Sequence, residues 1–333
     1  MSGFFRIVHY NKEEDMNSEY DKYLKYGPHY KGGKQSSLWE KKDDNAFDFL
    51  EKYSQVFNHY TASTIQPNPF SNKVMFIIDM LNKAGVKYSV DIFEYNGSSV
   101  YNWDSGAKEH KLVNIIAEPN PGVAGPATLI VAHHDVANTR SENCQDNGAS
   151  VCHLLALANI IGKTKEESKR TILLFTDCEE FGARGAKRFA KNSKVDRDTK
   201  VVTHNIYGEI SRVVNLELTG VGKVIWSDCD YKKADCELHS ALEEVFSGEI
   251  VKLRTPPSDV IAFREYDFPA VCIGTLKEDD LKYRDTWRLC HSMGDTLDKC
   301  SKEDMEDFTT FLLNITKVKK PELKEGEPVT SPQ

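Results

Sequence analysis

From residue 88 to residue 315 the sequence alternates between short, strand-like apolar runs and longer stretches with helical periodicity. That alternation narrows the open folds more than any other feature. Strand character occupies 88–93, 111–117, 127–132, 171–176, 213–218 and 270–274, and helical patterns fill 149–161, 183–191, 235–246 and 302–315. Runs such as Ala127-Thr-Leu-Ile-Val-Ala132 are apolar on both faces, as strands are when helices cover a sheet on each side. The expectation is an α/β domain: a three-layer α/β/α sandwich with a mixed, largely parallel central sheet.

Ahead of this core, Val74, Ile77, Ile78 and Leu81 recur at i, i+3, i+4 and i+7, and Gly85 follows as a helix stop. Another helix is expected over 45–57, within an amino-terminal helical extension (1–68) that packs on a main domain spanning 69–316. Residues 317–333, polar and proline-bearing, read as a disordered tail.

Composition excludes several functions. With 40% hydrophobic and 28% charged residues, the chain of 333 has ample material for a core. A formal net charge of −8 and the lack of a basic stripe argue against a nucleic-acid surface. No stretch approaches the roughly 20 apolar residues of a membrane span. The start, MSGFFRIVHYNKEED, has no apolar segment long enough for a signal peptide, so the chain reads as cytoplasmic. Secretion is the alternative if a leader has been removed, and the sequons at Asn96 and Asn314 belong to it. The eight cysteines form no C-x-x-C pair. Cys152 and Cys272 read as core thiols, and Cys229 and Cys236 as a pair that an oxidising compartment could bridge.

In open α/β sheets, sites form beyond the carboxyl ends of the strands. There the sequence places His133-His134-Asp135 after 127–132, Asp177-Cys178-Glu179-Glu180 after 171–176, Glu217 near the end of 213–218, and His291 with Asp295 after 270–274. Gln145-Asp146-Asn147-Gly148 precedes a helix. Singly, each has a plain explanation: adjacent acids at a helix start, a core histidine held by a carboxylate, an aspartate cap. Glu217 resists one, because a buried carboxylate without a partner is costly. Together, imidazoles and carboxylates converging on one sheet edge are ligands that divalent zinc, cobalt or manganese prefer.

These motifs, in this order from about residue 71 to 315, resemble the M28 zinc peptidases, the co-catalytic dizinc aminopeptidases. The matching segments are His133-His134-Asp135, Asp146-Asn147-Gly148-Ala149-Ser150, Glu179-Glu180-Phe181-Gly182, Asn215-Leu216-Glu217, Ser258-Asp259-Val260 and His291 before Asp295-Thr296. The resemblance implies two divalent ions, Zn2+ first among them, one held by His133 and Glu217, the other by Glu180 and His291, with Asp146 bridging. It makes Glu179 the general base and Asp135 the carboxylate behind His133, and it implies a cis peptide after Asp146. Val260 and Thr255 depart from the family pattern, Thr255 standing where a Tyr steadies the oxyanion.

The implied substrate is a peptide with a free amino terminus, cut at its first bond. Leu218, Ser258, Asp259 and Trp287 are candidates for the substrate pocket, with Ile261, Phe263 and Leu289 as further apolar candidates. Lys282, Arg284 and Arg288 suit a carboxylate-bearing substrate. Alternatives within and beyond the family are a single-zinc glutaminyl-peptide cyclotransferase and a non-catalytic, peptidase-like binding module. The sequence is silent on oligomeric state.

Overall fold

Each apolar run forms a strand of one sheet. The computed structural model describes residues 7–10, 45–56, 71–95, 110–138, 140–164, 169–196, 201–229, 236–246, 250–255, 257–280 and 284–317. Along the chain come β1 (Ile7–Tyr10), α1 (Ala46–Tyr53), α2 (Asn72–Lys83), β2 (Lys87–Tyr95), β3 (His110–Glu118), β4 (Ala127–His133), α3 (Ala149–Thr164) and β5 (Thr171–Thr176). Then follow α4 (Arg184–Lys191), β6 (Ser193–Val195), β7 (Val202–His204), β8 (Gly208–Leu216), β9 (Val224–Ser227), α5 (Cys236–Val245), β10 (Val251–Lys252), α6 (Asp259–Glu265), β11 (Ala270–Leu276), α7 (Arg284–Leu289) and α8 (Lys302–Lys317).

The strand order is β1-β2-β3-β5-β4-β8-β11-β9-β10, with β7 pairing to β8 and β6 to β7. The central strands β5, β4, β8 and β11 are mutually parallel. Antiparallel β1, β2 and β3 flank them on one side, and antiparallel β9 on the other. The sheet is therefore mixed with a parallel centre, as the alternation of elements requires.

Period-two alternation sorts the core into two layers. On β5, Leu173 and Phe175 join a cluster packed against α1, α2, α3, α5 and α8, whereas Ile172 and Leu174 join one packed against α4 and α6. On β4, Ile130 and Ala132 go with the first layer, Leu129 and Val131 with the second. Helix starts are set by local caps: Asn45 Oδ1 accepts from Asp48 N at 2.9 Å and Ser71 Oγ from Val74 N at 3.2 Å.

Residues 1–68 contribute β1 to the sheet and, through α1, Phe49, Leu50 and Tyr53 to the core. The rest of that segment, and 318–333 of the expected tail, lie outside the described residues. Cys152 and Cys272 are buried free thiols and Cys229 is buried; the side chain of Cys236 is outside the described set. Among the described residues no helix is long and apolar enough to cross a membrane.

One buried histidine ties the layers to the site. His153, on α3, lies 2.9 Å from Thr309 Oγ1 on α8 and 3.2 Å from Thr219 O, just beyond β8. Burial pushes its pKa down to about 4. Between that value and the ordinary 6.5 the unfolded chain holds a proton that the folded one refuses, so stability falls as pH drops through this window, by up to ~1.4 kcal/mol per pH unit. In urea titrations from pH 7 to pH 4 the wild-type protein is expected to lose up to this much more stability per pH unit than His153→Gln, and parallel curves for the two would contradict it.

Candidate active site

Parallel β5, β4 and β8 end at the same sheet edge, which brings their following residues together. His133, the last residue of β4, is in register with Thr176, the last of β5, and Glu217 follows β8 directly, its N–H donating to Ile273 O of β11 at 2.9 Å. The fourth contributor is the tight turn Cys144–Gly148 ahead of α3, whose Asp146–Asn147 peptide is cis. A side chain at Gly148 would put its Cβ 2.1 Å from Asn143 O, so only glycine fits that winding.

Asp146 sits at the centre. Its Oδ1 lies 3.3 Å from His133 Nε2 and its Oδ2 lies 3.2 Å from His291 Nε2. His133 Nε2 is also 3.4 Å from Glu217 Oε1, and His291 Nε2 is 2.7 Å from Glu180 Oε2. The result is two triads, His133–Asp146–Glu217 and Asp146–Glu180–His291, each able to hold one ion and sharing Asp146. The residues fit divalent metal in chemistry as well as spacing: every donor is an imidazole nitrogen or carboxylate oxygen, and Glu217 Oε2 is buried with no hydrogen-bond partner among the described residues.

Electrostatics point the same way. Burial pushes the carboxyls of Glu179 and Glu217 above their usual range and that of Glu180 up to about 7. Burial also opposes ionisation of Asp146, yet its pKa is depressed because His133 and His291 both hydrogen-bond to it. Burial disfavours a charge on His133 too, but the Glu217 charge and the contacts with Asp135 and Asp146 raise it above the usual range. His291, more exposed, is raised to about 10 by Asp146 and Glu180.

Supporting contacts fix the ligand-bearing segments. Asp135 Oδ1 lies 3.2 Å from His133 Nδ1 and accepts from Glu179 N at 3.0 Å, while its Oδ2 accepts from Glu180 N at 3.2 Å. Asn147 donates to Leu216 O at 2.9 Å and accepts from Leu218 N at 3.3 Å, locking the turn to the end of β8. Sequence reasoning noted Asp295 only as part of a motif. Its carboxylate accepts from three consecutive backbone amides, Cys144 (3.1 Å), Gln145 (2.6 Å) and Asp146 (3.0 Å). A buried acid four residues after a candidate ligand was the available signal.

A cleft of about 310 Å³ opens over these residues, lined among others by Asp146, Glu179, Glu180, Glu217, Leu218, Thr255, Ser258, Ile261, Trp287 and His291. Of the expected pocket residues, Leu218, Ser258 and Trp287 line it; Asp259 does not. Asp259 opens α6 fully buried, and its Oδ2 accepts from the Thr176 hydroxyl, which draws it beneath the sheet edge. Phe263 is likewise a core residue. His134 packs inward with Nε2 2.8 Å from Val113 O. Arg288 is exposed and faces Asp285 at 3.6 Å, Arg284 begins α7, and Lys282 lies outside the described residues. The basic residue that does line the cleft is Lys187, which the sequence reading passed over.

Residues 114–316, more than half of the chain, match the profile of Peptidase family M28. The chain belongs to peptidase family M28. This M28 chain is 25% identical over 206 residues to a vacuolar membrane protease of Candida tropicalis, a match that covers 57% of this chain and 20% of that protein, so it spans about a fifth of that relative's length. Among solved structures it is similar to a glutaminyl cyclase of Fimbriiglobus ruber (TM-score 0.62, 20% identity, 88% of this chain and 98% of that one). It is also similar to a Zn-dependent exopeptidase from Parabacteroides distasonis (TM-score 0.61, 15% identity, 83% and 98%). At these identities the likeness establishes the fold, the zinc-exopeptidase-like sandwich.

The Asp295 clamp is testable apart from any reaction. In Asp295→Asn one oxygen becomes a donor facing backbone N–H groups, so unfolding in guanidinium with chelator present is expected to show a loss of about 1.5–3 kcal/mol. An unchanged midpoint would mean the turn holds itself.

Proposed function

We propose that the chain is a metal-dependent exopeptidase that hydrolyses the amino-terminal bond of peptides, with two divalent ions, Zn2+ by donor chemistry. The observation that carries this is the pair of triads meeting at Asp146, with Glu179 left over in the same cleft. His133 and Glu217 would hold one ion, Glu180 and His291 the other, and Asp146 would lend one oxygen to each. Bound there, the ions would polarise the scissile carbonyl and acidify a water molecule.

The chain's own residues do the rest. Glu179 takes a proton from the attacking water and delivers it to the leaving amine. Its burial, which raises its affinity for a proton, suits a carrier. Asp135 is a positioning residue: it orients the His133 ring and, through two backbone amides, the segment bearing Glu179 and Glu180. Leu218 and Trp287 offer the first substrate side chain an apolar wall.

Similar solved structures include a glutaminyl cyclase as well as an exopeptidase. The His133–Asp146–Glu217 triad supports hydrolysis, since a single-zinc cyclase needs only the other triad. The test is a screen of aminoacyl amides and amino-terminal glutaminyl peptides with metal-loaded and chelated protein. Metal-dependent hydrolysis is expected, with Glu179→Gln lowering kcat by roughly 10²–10⁴-fold while metal content is retained. Cyclisation of glutaminyl peptides with one bound ion would replace this reading with the cyclase. Neither metal nor turnover would leave a binding module.

A further inference from the structure

One wall of the cleft carries a charge that this mechanism does not use. Gly182, Ala183 and Lys187 line it, and Lys187 is the only lysine or arginine among the described lining residues. Lys187 lies in the first turn of α4, its N–H donating to the carbonyl of Ala183, the residue just ahead of the helix, at 2.9 Å. Its ammonium lies 3.6 Å from Glu265 Oε2 on α6, with side chains 36% and 50% exposed. Such a pair is weak, and a substrate carboxylate can displace Glu265.

With Leu218 and Trp287 given to the first substrate side chain, the part of the cleft along α4, lined by Gly182, Ala183 and Lys187, is left for the residue attached to the leaving amine.

We infer that Lys187 is a specificity residue, selecting substrates whose leaving residue carries a carboxylate, either the free carboxyl terminus of a dipeptide or an acidic side chain. This rests on the exopeptidase reading above. The experiment compares Leu-Ala, Leu-Ala-NH2 and Leu-Glu-NH2 with metal-loaded wild type, Lys187→Met, Lys187→Arg and Glu265→Gln. Wild type is expected to prefer at least one carboxylate substrate over Leu-Ala-NH2 by roughly five-fold in kcat/KM, through KM, and less so as salt is added. A preference for Leu-Ala alone identifies the terminal carboxylate, and one for Leu-Glu-NH2 the side chain. Lys187→Met is expected to abolish the preference with Leu-Ala-NH2 unaffected. Lys187→Arg and Glu265→Gln are expected to keep it, the latter separating loss of the ion pair from loss of the ammonium.

Calorimetric binding of the same three peptides to metal-loaded Glu179→Gln, with and without Lys187→Met, gives a second readout independent of turnover, and the same order of affinities is expected. Equal kcat/KM and equal affinity for all three peptides in the presence of Lys187, or a preference that survives Lys187→Met, overturns the inference while leaving the exopeptidase intact. If none of them is hydrolysed, the binding ratio alone decides the role of Lys187, and the screen of aminoacyl amides above decides the exopeptidase reading.

Discussion

Four carboxylates, Asp146, Glu179, Glu180 and Glu217, are held beside one another at the end of a covered parallel sheet, and the arrangement is unstable without positive charge among them. Burial raises three of them, and Asp146 stays ionised through its contacts with two imidazoles. The fold imposes this crowding. Strands β5, β4 and β8 run parallel and adjacent, so the residues that follow them have one edge to share. The surrounding polar contacts, Asp295 under the turn, Asn147 against β8 and Asp135 behind His133, keep mutual repulsion from pushing the segments apart.

The two triads differ in depth. His133 is 1% exposed and backed by Asp135, whereas His291 is 53% exposed and reached from a loop whose carbonyl is held by Asn138. The deep triad is a fixed part of the sheet edge. The shallow one reaches the exposed side of the cleft through His291, and Trp287 of α7 and Lys187 of α4 line the same cleft.

Much of this was legible in the sequence where burial on both faces wrote the pattern. β5 spans the residues expected for it, because TILLFT is apolar on each side and bounded by polar turns. β8 was legible only in part: it starts at Gly208 and ends at Leu216, as Leu218 turns into positive φ to face the cleft. The peripheral strands β1, β6, β7, β9 and β10 are short and lack a long apolar run, so period-two reasoning passed over them. Seven residues of α6 are too few to show periodicity, and Asp259 at its start was read as a pocket residue when the Thr176 hydroxyl draws it inward. The ligand candidates were visible as an ordered set of motifs. Lys187 was not, because a lysine on an amphipathic helix looks the same whether it faces solvent or a cleft.

The central claim is that one aspartate joins two ion sites. Counting bound Zn2+ after equilibrium dialysis of wild type, Glu217→Ala, Glu180→Ala and Asp146→Ala tests it most directly. The proposed function predicts about two ions per chain in wild type, about one in each glutamate variant and close to none in Asp146→Ala, in keeping with the shared triads. A wild-type count of one, or an Asp146→Ala protein that keeps both ions, would contradict it.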